Sequence, residues 1–168
     1  MPNTIRVYVD ADHAGCAITR RSATGMVMML GMHTVKTACN VQSTIALSSG
    51  EGEWYGLVKG SAVGLGFQSL LLDWNVDLKL EVLSDSSAAR GFSQRKGLGK
   101  MRHIQTRYLW VQERVHEGHL KISAIKGTQN PADVLTKAVS GQLRKKHLEK
   151  IGFVHVKVSG EHKAVLGT

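Results

Sequence analysis

Two β-patterned runs in this chain each stop on a single aspartate, and that repetition narrows the possible folds more than any other feature. Thr4 to Val9 (T-I-R-V-Y-V) alternates apolar and polar residues, is rich in β-branched side chains and ends at Asp10. Leu78 to Ser84 (L-K-L-E-V-L-S) forms a second such run and ends at Asp85. If these strands are parallel neighbours, both carboxylates come to one edge of a sheet, where open α/β sheets place their sites.

The segments between and after them fill in the architecture. Gly25 to Leu30 and Thr34 to Leu47 are further strand candidates, with L-G-M-H at Leu30 to His33 as a hairpin turn. Ser48 and Glu51 have the spacing of a capping box, which opens a helix running to about Trp74 with Trp54, Val58, Ala62 and Leu65 at helical intervals. Gly52, Gly56, Gly60 and Gly64 recur every fourth residue in it. Each glycine costs ~1 kcal/mol of helix propensity relative to alanine, so the ridge implies a close approach to a sheet. A short helix from Ser86 to about Gln94, a loop at Gly97 to Lys100, an amphipathic helix from Arg102 to Glu117 and a strand from Leu120 to Ile125 follow. Asn130-Pro131 starts another helix, with asparagine as cap and proline first, which puts Asp133 in the first turn. A basic helix spans Leu143 to Gly152, and the residues after Val154 carry no clear pattern. A meander followed by strands alternating with helices is an α/β arrangement, a mixed sheet flanked by helices.

Composition limits the partners. Lys and Arg number 22 against 13 acids, a net charge of +9, which favours a polyanion, with nucleic acid ahead of a membrane surface. The most apolar window, Leu57 to Trp74, contains Lys59, Gln68 and Asp73, so it is no membrane span. Cys16 and Cys39 lack metal-type spacing and read as reduced thiols, and no signal peptide opens the chain. The expectation is one intracellular domain, cytoplasmic or nuclear.

Among so few acids, Asp10, Glu53, Asp85 and Asp133 all sit at element boundaries. Taken singly, each has an ordinary explanation: a solvated strand end, a first-turn acid, an N-cap, a helix-dipole partner. Together they supply the clustered hard oxygens that hold two Mg²⁺ ions ~3.5–4 Å apart in phosphoryl-transfer sites.

The ordered motifs resemble the ribonuclease H domain of copia-type retrotransposon reverse transcriptases. Y-V-D-A-D-H-A-G is similar to that family's Y-x-D-A-D-W-A-G, R-R-S-A-T-G to R-R-S-T-S-G, and A-L-S-S-G-E-G-E-W-Y-G-L to A-L-S-S-T-E-A-E-Y-x-A-L. S-D-S-S-A-A-R, R-H-I-Q-T-R-Y-L-W-V-Q-E-R-V and N-P-A-D-V-L-T-K match its later motifs, in register from about Tyr8 to Phe153. The resemblance implies the ribonuclease H-like fold, a five-stranded mixed sheet with helices on both faces. It assigns residues 1–153 to a ribonuclease H domain and 154–168 to a C-terminal tail.

It also implies an endoribonuclease that hydrolyses the RNA strand of RNA–DNA hybrids with two Mg²⁺ ions, or Mn²⁺ in their place. Asp10, rather than Asp12, matches the bridging ligand. Glu53 and Asp85 match the ligands on the leaving-group side, and Asp133 the ligand on the nucleophile side. Glu51 is then the capping residue. The chain departs from the family in having His13 in place of a tryptophan and glycines in place of helix alanines. Like copia-type domains generally, it lacks the histidine that many cellular and retroviral members carry before the last carboxylate.

The expected partners are an RNA–DNA hybrid and a reverse transcriptase polymerase domain, with the chain itself a monomer, either standalone or excised from a polyprotein. On the Arg102 helix, His103, Arg107 and Arg114 share a face, and with Lys100 and Arg102 they are candidates for tracking a phosphate backbone. Arg20 and Arg21 form a second basic patch. Ser49, Gly50 and Ser86 are candidates for contacts to the hybrid beside the ligands. An integrase or transposase core would need a glutamate about 35 residues after its second aspartate, and Leu120 and Lys121 stand there instead. A non-catalytic hybrid-binding domain would have no use for four clustered acids beside a polyanion.

Overall fold

The computed structural model describes residues 2–99, 103–158 and 161–166, with those from 155 onward described by backbone alone. Strands β1 (Thr4–Ala11), β2 (Ala23–Leu30), β3 (His33–Val41), β4 (Lys79–Ser84) and β5 (Lys121–Ala124) form one sheet in the order β3-β2-β1-β4-β5. The first three are antiparallel neighbours, while β1–β4 and β4–β5 are parallel. Tyr8 pairs with Leu83, so Asp10 and Asp85 leave the same sheet edge from adjacent strands. The parallel arrangement required by the two strand–aspartate runs is therefore present.

Alternation along β1 divides the core. Ile5, Val7 and Val9 pack beneath helix α1 (Ser49–Asp73), with Trp54, Leu57 and Val82. Tyr8 lies on the opposite face with Val27, Met29 and Ile151, the last just beyond helix α4 (Gly141–Lys150). Helices thus cover both faces. Trp54 meets Phe92 of helix α2 (Ser87–Ser93) edge-to-face at 4.7 Å.

The glycine ridge of α1 does what its spacing implies. A Cβ on Gly60 would lie 2.4 Å from Val9 Cγ1, and one on Gly64 would lie 2.7 Å from Leu80 Cδ1. These two glycines let the helix backbone rest on β1 and β4. Gly66, by contrast, faces open space. Gly60→Ala is expected to destabilise the fold by about 1–3 kcal/mol through overpacking, although alanine is the better helix former. Gly66→Ala should instead stabilise it by up to ~1 kcal/mol. Urea unfolding midpoints of the two variants test the assignment, and equal shifts would refute it.

Several elements differ from the sequence expectation. The second half of the Thr34–Leu47 candidate is a loop after Val41. Among the described residues, from His103 on, no single helix runs through the expected Arg102–Glu117 span: a 3-10 turn at Thr106–Tyr108 leads into α3 (Trp110–His116). Burying Ile104, Tyr108 and Val111 against the main core fixes that segment by packing rather than by helical period. Pro131–Leu135 is a 3-10 helix. The C-terminal residues form a two-stranded antiparallel hairpin, β6 (Phe153–Val158) with β7 (Glu161–Leu166), whose first residue is the last one assigned to the main domain. Among the described residues no helix is long and apolar enough to cross a membrane, and Cys16 and Cys39 are both free.

Candidate active site

Each acid is delivered by a different element. Asp10 is the penultimate residue of β1 and is fully buried. Asp85 follows the last residue of β4 and does not cap the next helix, because Ser86 Oγ accepts the Ala89 N–H at 3.2 Å in that role. Its carboxylate is thereby free to face the site. Asp133 sits on the 3-10 helix, whose start is tied to β1 by buried Asn130: Nδ2 donates to Val9 O at 2.9 Å, and Oδ1 accepts from Ala132 N. Gly25, paired with Asp10 across β2, completes the platform. A Cβ there would stand 2.9 Å from Ala132 O and from Thr136 Cγ2, so only a glycine lets this segment lie over the aspartate.

The result is a carboxylate triad. One oxygen each from Asp10, Asp85 and Asp133 lies within 4.8 Å of the others. Glu53, from the first turns of α1, is not within that set but is almost buried beside it, and its Oε2 has no hydrogen-bond partner. Burial pushes its carboxyl up to about 8, helped by the charges of Asp10 and Asp85 and opposed by Lys137. Asp133 is raised to about 6, first by burial and then by Asp10. Burial and like charge outweigh the helix-start field that would favour its ionised form.

Two residues to which the sequence reading gave no role complete the cluster. Lys137 Nζ lies 2.7 Å from Asp10 Oδ1 and 3.5 Å from Asp133 Oδ1, and Thr136 donates its hydroxyl to Asp10 Oδ2. The available signal was their spacing, three and four residues after Asp133, which brings side chains back to the same face of a helical turn.

Asp12 has a different task. Its Oδ1 accepts the Ala23 N–H at 2.6 Å and its own N–H donates to Ala23 O, closing the loop between β1 and β2. Glu51 is fully buried and accepts from Leu47 N, Tyr55 Oη and His103 Nε2. Burial acts to raise its pKa, but the hydrogen bonds from Tyr55 and His103 hold it below the usual value. Half of the capping box forms, with Ser48 Oγ accepting from Glu51 N, while the Glu51 carboxylate accepts from Leu47 N, one residue before the cap.

The expected hybrid contacts divide in space. Ser49 and Gly50 begin α1 beside the start of α2, where a Cβ on Gly50 would lie 3.1 Å from Ala88 Cβ, and Ser86 is the N-cap of that helix. Arg20 and Arg21 are exposed on the loop after β1, at the carboxylate end of the sheet. His103 is held by Glu51 at 2.9 Å, and Arg107 lies over the Tyr108 ring at 4.9 Å. Arg114 belongs elsewhere. It pairs with Glu117 and His119 and lines a groove with Leu78, Lys79 and Lys121, at the strand ends opposite the acids. With no continuous helix between them, Arg107 and Arg114 do not share a face. Lys100 and Arg102 lie outside the described residues.

An all-oxygen donor set suits a hard divalent cation such as Mg²⁺. The unpartnered buried oxygen of Glu53 and the ammonium drawn onto Asp10 both show a cluster short of positive charge. On these grounds the residues present match a divalent metal.

No family model matches the chain. In sequence it is 30% identical over 137 residues, 80% of its length, to the retrovirus-related Pol polyprotein from transposon TNT 1-94 of Nicotiana tabacum. It is 26% identical over 156 residues, 91% of its length, to the corresponding polyprotein from transposon RE2 of Arabidopsis thaliana. The chain spans only 10% and 11% of those two polyproteins. In structure it is similar to LC11-RNase H1, isolated from compost by a metagenomic approach, with a TM-score of 0.55 and 17% identity over 87% of this chain and 99% of that one. The chain is a homologue of one segment of the copia-type retrotransposon Pol polyproteins, and it has the ribonuclease H fold.

Proposed function

We propose that this chain is a retroelement ribonuclease H domain that hydrolyses the RNA strand of RNA–DNA hybrids with two divalent metal ions. The observation that carries the reading is the convergence of Asp10, Asp85 and Asp133 within 4.8 Å, with buried Glu53 facing them, at one edge of a ribonuclease H sheet. Asp10, Glu53, Asp85 and Asp133 would hold the metals, Mg²⁺ with Mn²⁺ as substitute. Bound there, the ions would lower the pKa of an attacking water and neutralise charge on the leaving oxygen. The chain's own part is to fix those oxygens on rigid elements and to orient the hybrid. Ser49, Gly50 and Ser86 would contact the hybrid, and Arg20, Arg21, His103 and Arg107, all exposed, would supply donors for phosphates. A polymerase domain of the same polyprotein is the expected macromolecular partner.

The direct test is cleavage of an end-labelled RNA–DNA hybrid in Mg²⁺, with RNA–RNA and DNA–DNA duplexes as controls. Metal-dependent cuts confined to the RNA strand of the hybrid support the reading. Hybrid binding without cleavage in Mg²⁺ or Mn²⁺ would replace it with a non-catalytic binding domain.

The division of the basic residues carries its own prediction. Arg107→Ala should weaken hybrid binding and flatten the slope of log affinity against log salt by roughly one unit, the value for one phosphate contact. Arg114→Ala should leave the slope unchanged, because that guanidinium is engaged at the far end of the sheet. Equal slopes for wild type and Arg107→Ala would remove Arg107 from the interface.

A further inference from the structure

Lys137 is placed where a metal ion would otherwise be needed. Asp10 is fully buried, and the Lys137 ammonium meets its Oδ1 at 2.7 Å while also reaching Asp133 Oδ1 at 3.5 Å. Among the described residues, no other basic side chain comes within ion-pair distance of Asp10, Asp85 or Asp133. Carboxylates packed this closely in a low-dielectric edge repel one another strongly unless a positive charge lies among them. The lysine side chain is itself 42% exposed. Its ammonium is therefore tethered on a flexible stem open to solvent, rather than locked into the core. Thr136, through its bond to Asp10, and Gly25, through its missing Cβ, hold the turn that delivers it.

We propose that Lys137 is a resident counter-cation of the acid cluster, a positioning residue that keeps the metal-free site assembled and is displaced by the incoming divalent ion. This inference rests on the metal-binding reading of the site. The physical reason for exchange is direct. The ammonium and a dication both seek Asp10, whose Oδ1 already accepts from Lys137 and whose Oδ2 accepts from Thr136, and the two cations repel each other at that distance. Metal binding therefore competes with the Lys137–Asp10 pair, so the lysine raises the metal concentration at which the site fills. A lysine whose role was only to pack would contribute equally with and without metal.

The experiment uses the whole chain, Mn²⁺ as the probe, and calorimetric titration alongside thermal unfolding. The variants are Lys137→Met, which keeps the stem and removes the charge, and Lys137→Arg, which keeps the charge. Lys137→Met is expected to unfold at a lower temperature than wild type in EDTA, to bind Mn²⁺ about tenfold more tightly, and to regain wild-type thermal stability at saturating Mn²⁺. Lys137→Arg should stay close to wild type on all three measures. Unchanged or weaker Mn²⁺ affinity in Lys137→Met overturns the inference while leaving the metal-binding reading in place. So does a Lys137→Met protein that remains equally destabilised, or unfolded, at saturating Mn²⁺. A wild-type chain that binds no Mn²⁺ overturns both.

Discussion

Asp10→Asn is expected to give a folded protein whose cleavage of an RNA–DNA hybrid falls by about a thousandfold or more, comparable to removing a principal electrostatic group from an active site. Asp10 is the most deeply buried of the acids and lies between Thr136, Lys137 and the other carboxylates. The isosteric amide keeps its shape and can still accept from Thr136, but it withdraws the charge shared by the proposed metals. The fold should survive, because losing one of several mutually repelling carboxylates relieves strain in the metal-free chain. Asp12→Asn makes the internal comparison. That side chain closes the loop through Ala23 N, so the change should cost stability on the order of 1 kcal/mol, the worth of one hydrogen bond, with little effect on rate. Single-turnover cleavage rates and circular dichroism of both variants decide the matter. Robust cleavage by folded Asp10→Asn would mean that the acid cluster is structural.

Glu53→Gln should separate stability from activity. In the unfolded chain Glu53 titrates near its ordinary 4.5, whereas burial, then Asp10 and Asp85, push it up to about 8 in the fold. Between those values the folded state holds a proton that the unfolded state has lost, so stability declines as pH rises through that window. Asp133, raised from 3.8 to about 6 by burial and by Asp10, adds a smaller decline at lower pH. The metal-free protein should therefore melt at a lower temperature at pH 8 than at pH 5.5.

Glu53→Gln removes the larger contribution. It should raise the melting temperature in EDTA at pH 8, flatten the pH dependence and abolish cleavage. Saturating Mg²⁺ should narrow the gap from the other side, since a dication favours the ionised carboxylate and stabilises wild type more than the glutamine variant. Thermal unfolding at the two pH values, with and without Mg²⁺, checks the stability changes, and cleavage of a labelled RNA–DNA hybrid checks the loss of activity. A Glu53→Gln protein no more stable than wild type at pH 8 in EDTA would show that Glu53 does not face the other acids.

The positions of the acids relative to their elements were legible in the sequence because they depend on local pattern. Alternation placed Asp10 and Asp85 at strand ends, and the Ser48–Glu51 spacing placed the start of α1. The Asn130-Pro131 step placed Asp133 in a first turn. The glycine ridge was legible as a need for close approach, though only the structure shows that Gly60 and Gly64 meet the sheet while Gly66 does not. Periodicity misled between Arg102 and Glu117. An amphipathic pattern records which side chains are buried, and a 3-10 turn followed by a short helix can bury the same ones.

By itself, then, the sequence determined the strand–aspartate runs, the order of elements and the set of acids, all properties of neighbours along the chain. Tertiary structure alone decided which charges meet. Lys137 and Asp10 are far apart in sequence, and their 2.7 Å contact exists because Gly25 lets the turn after Asn130 settle over β1. Arg107 and Arg114 are close in sequence, yet a break in the helix puts them in different settings. Electrostatics depends on distance in space, and for these residues the fold, rather than the local pattern, sets that distance.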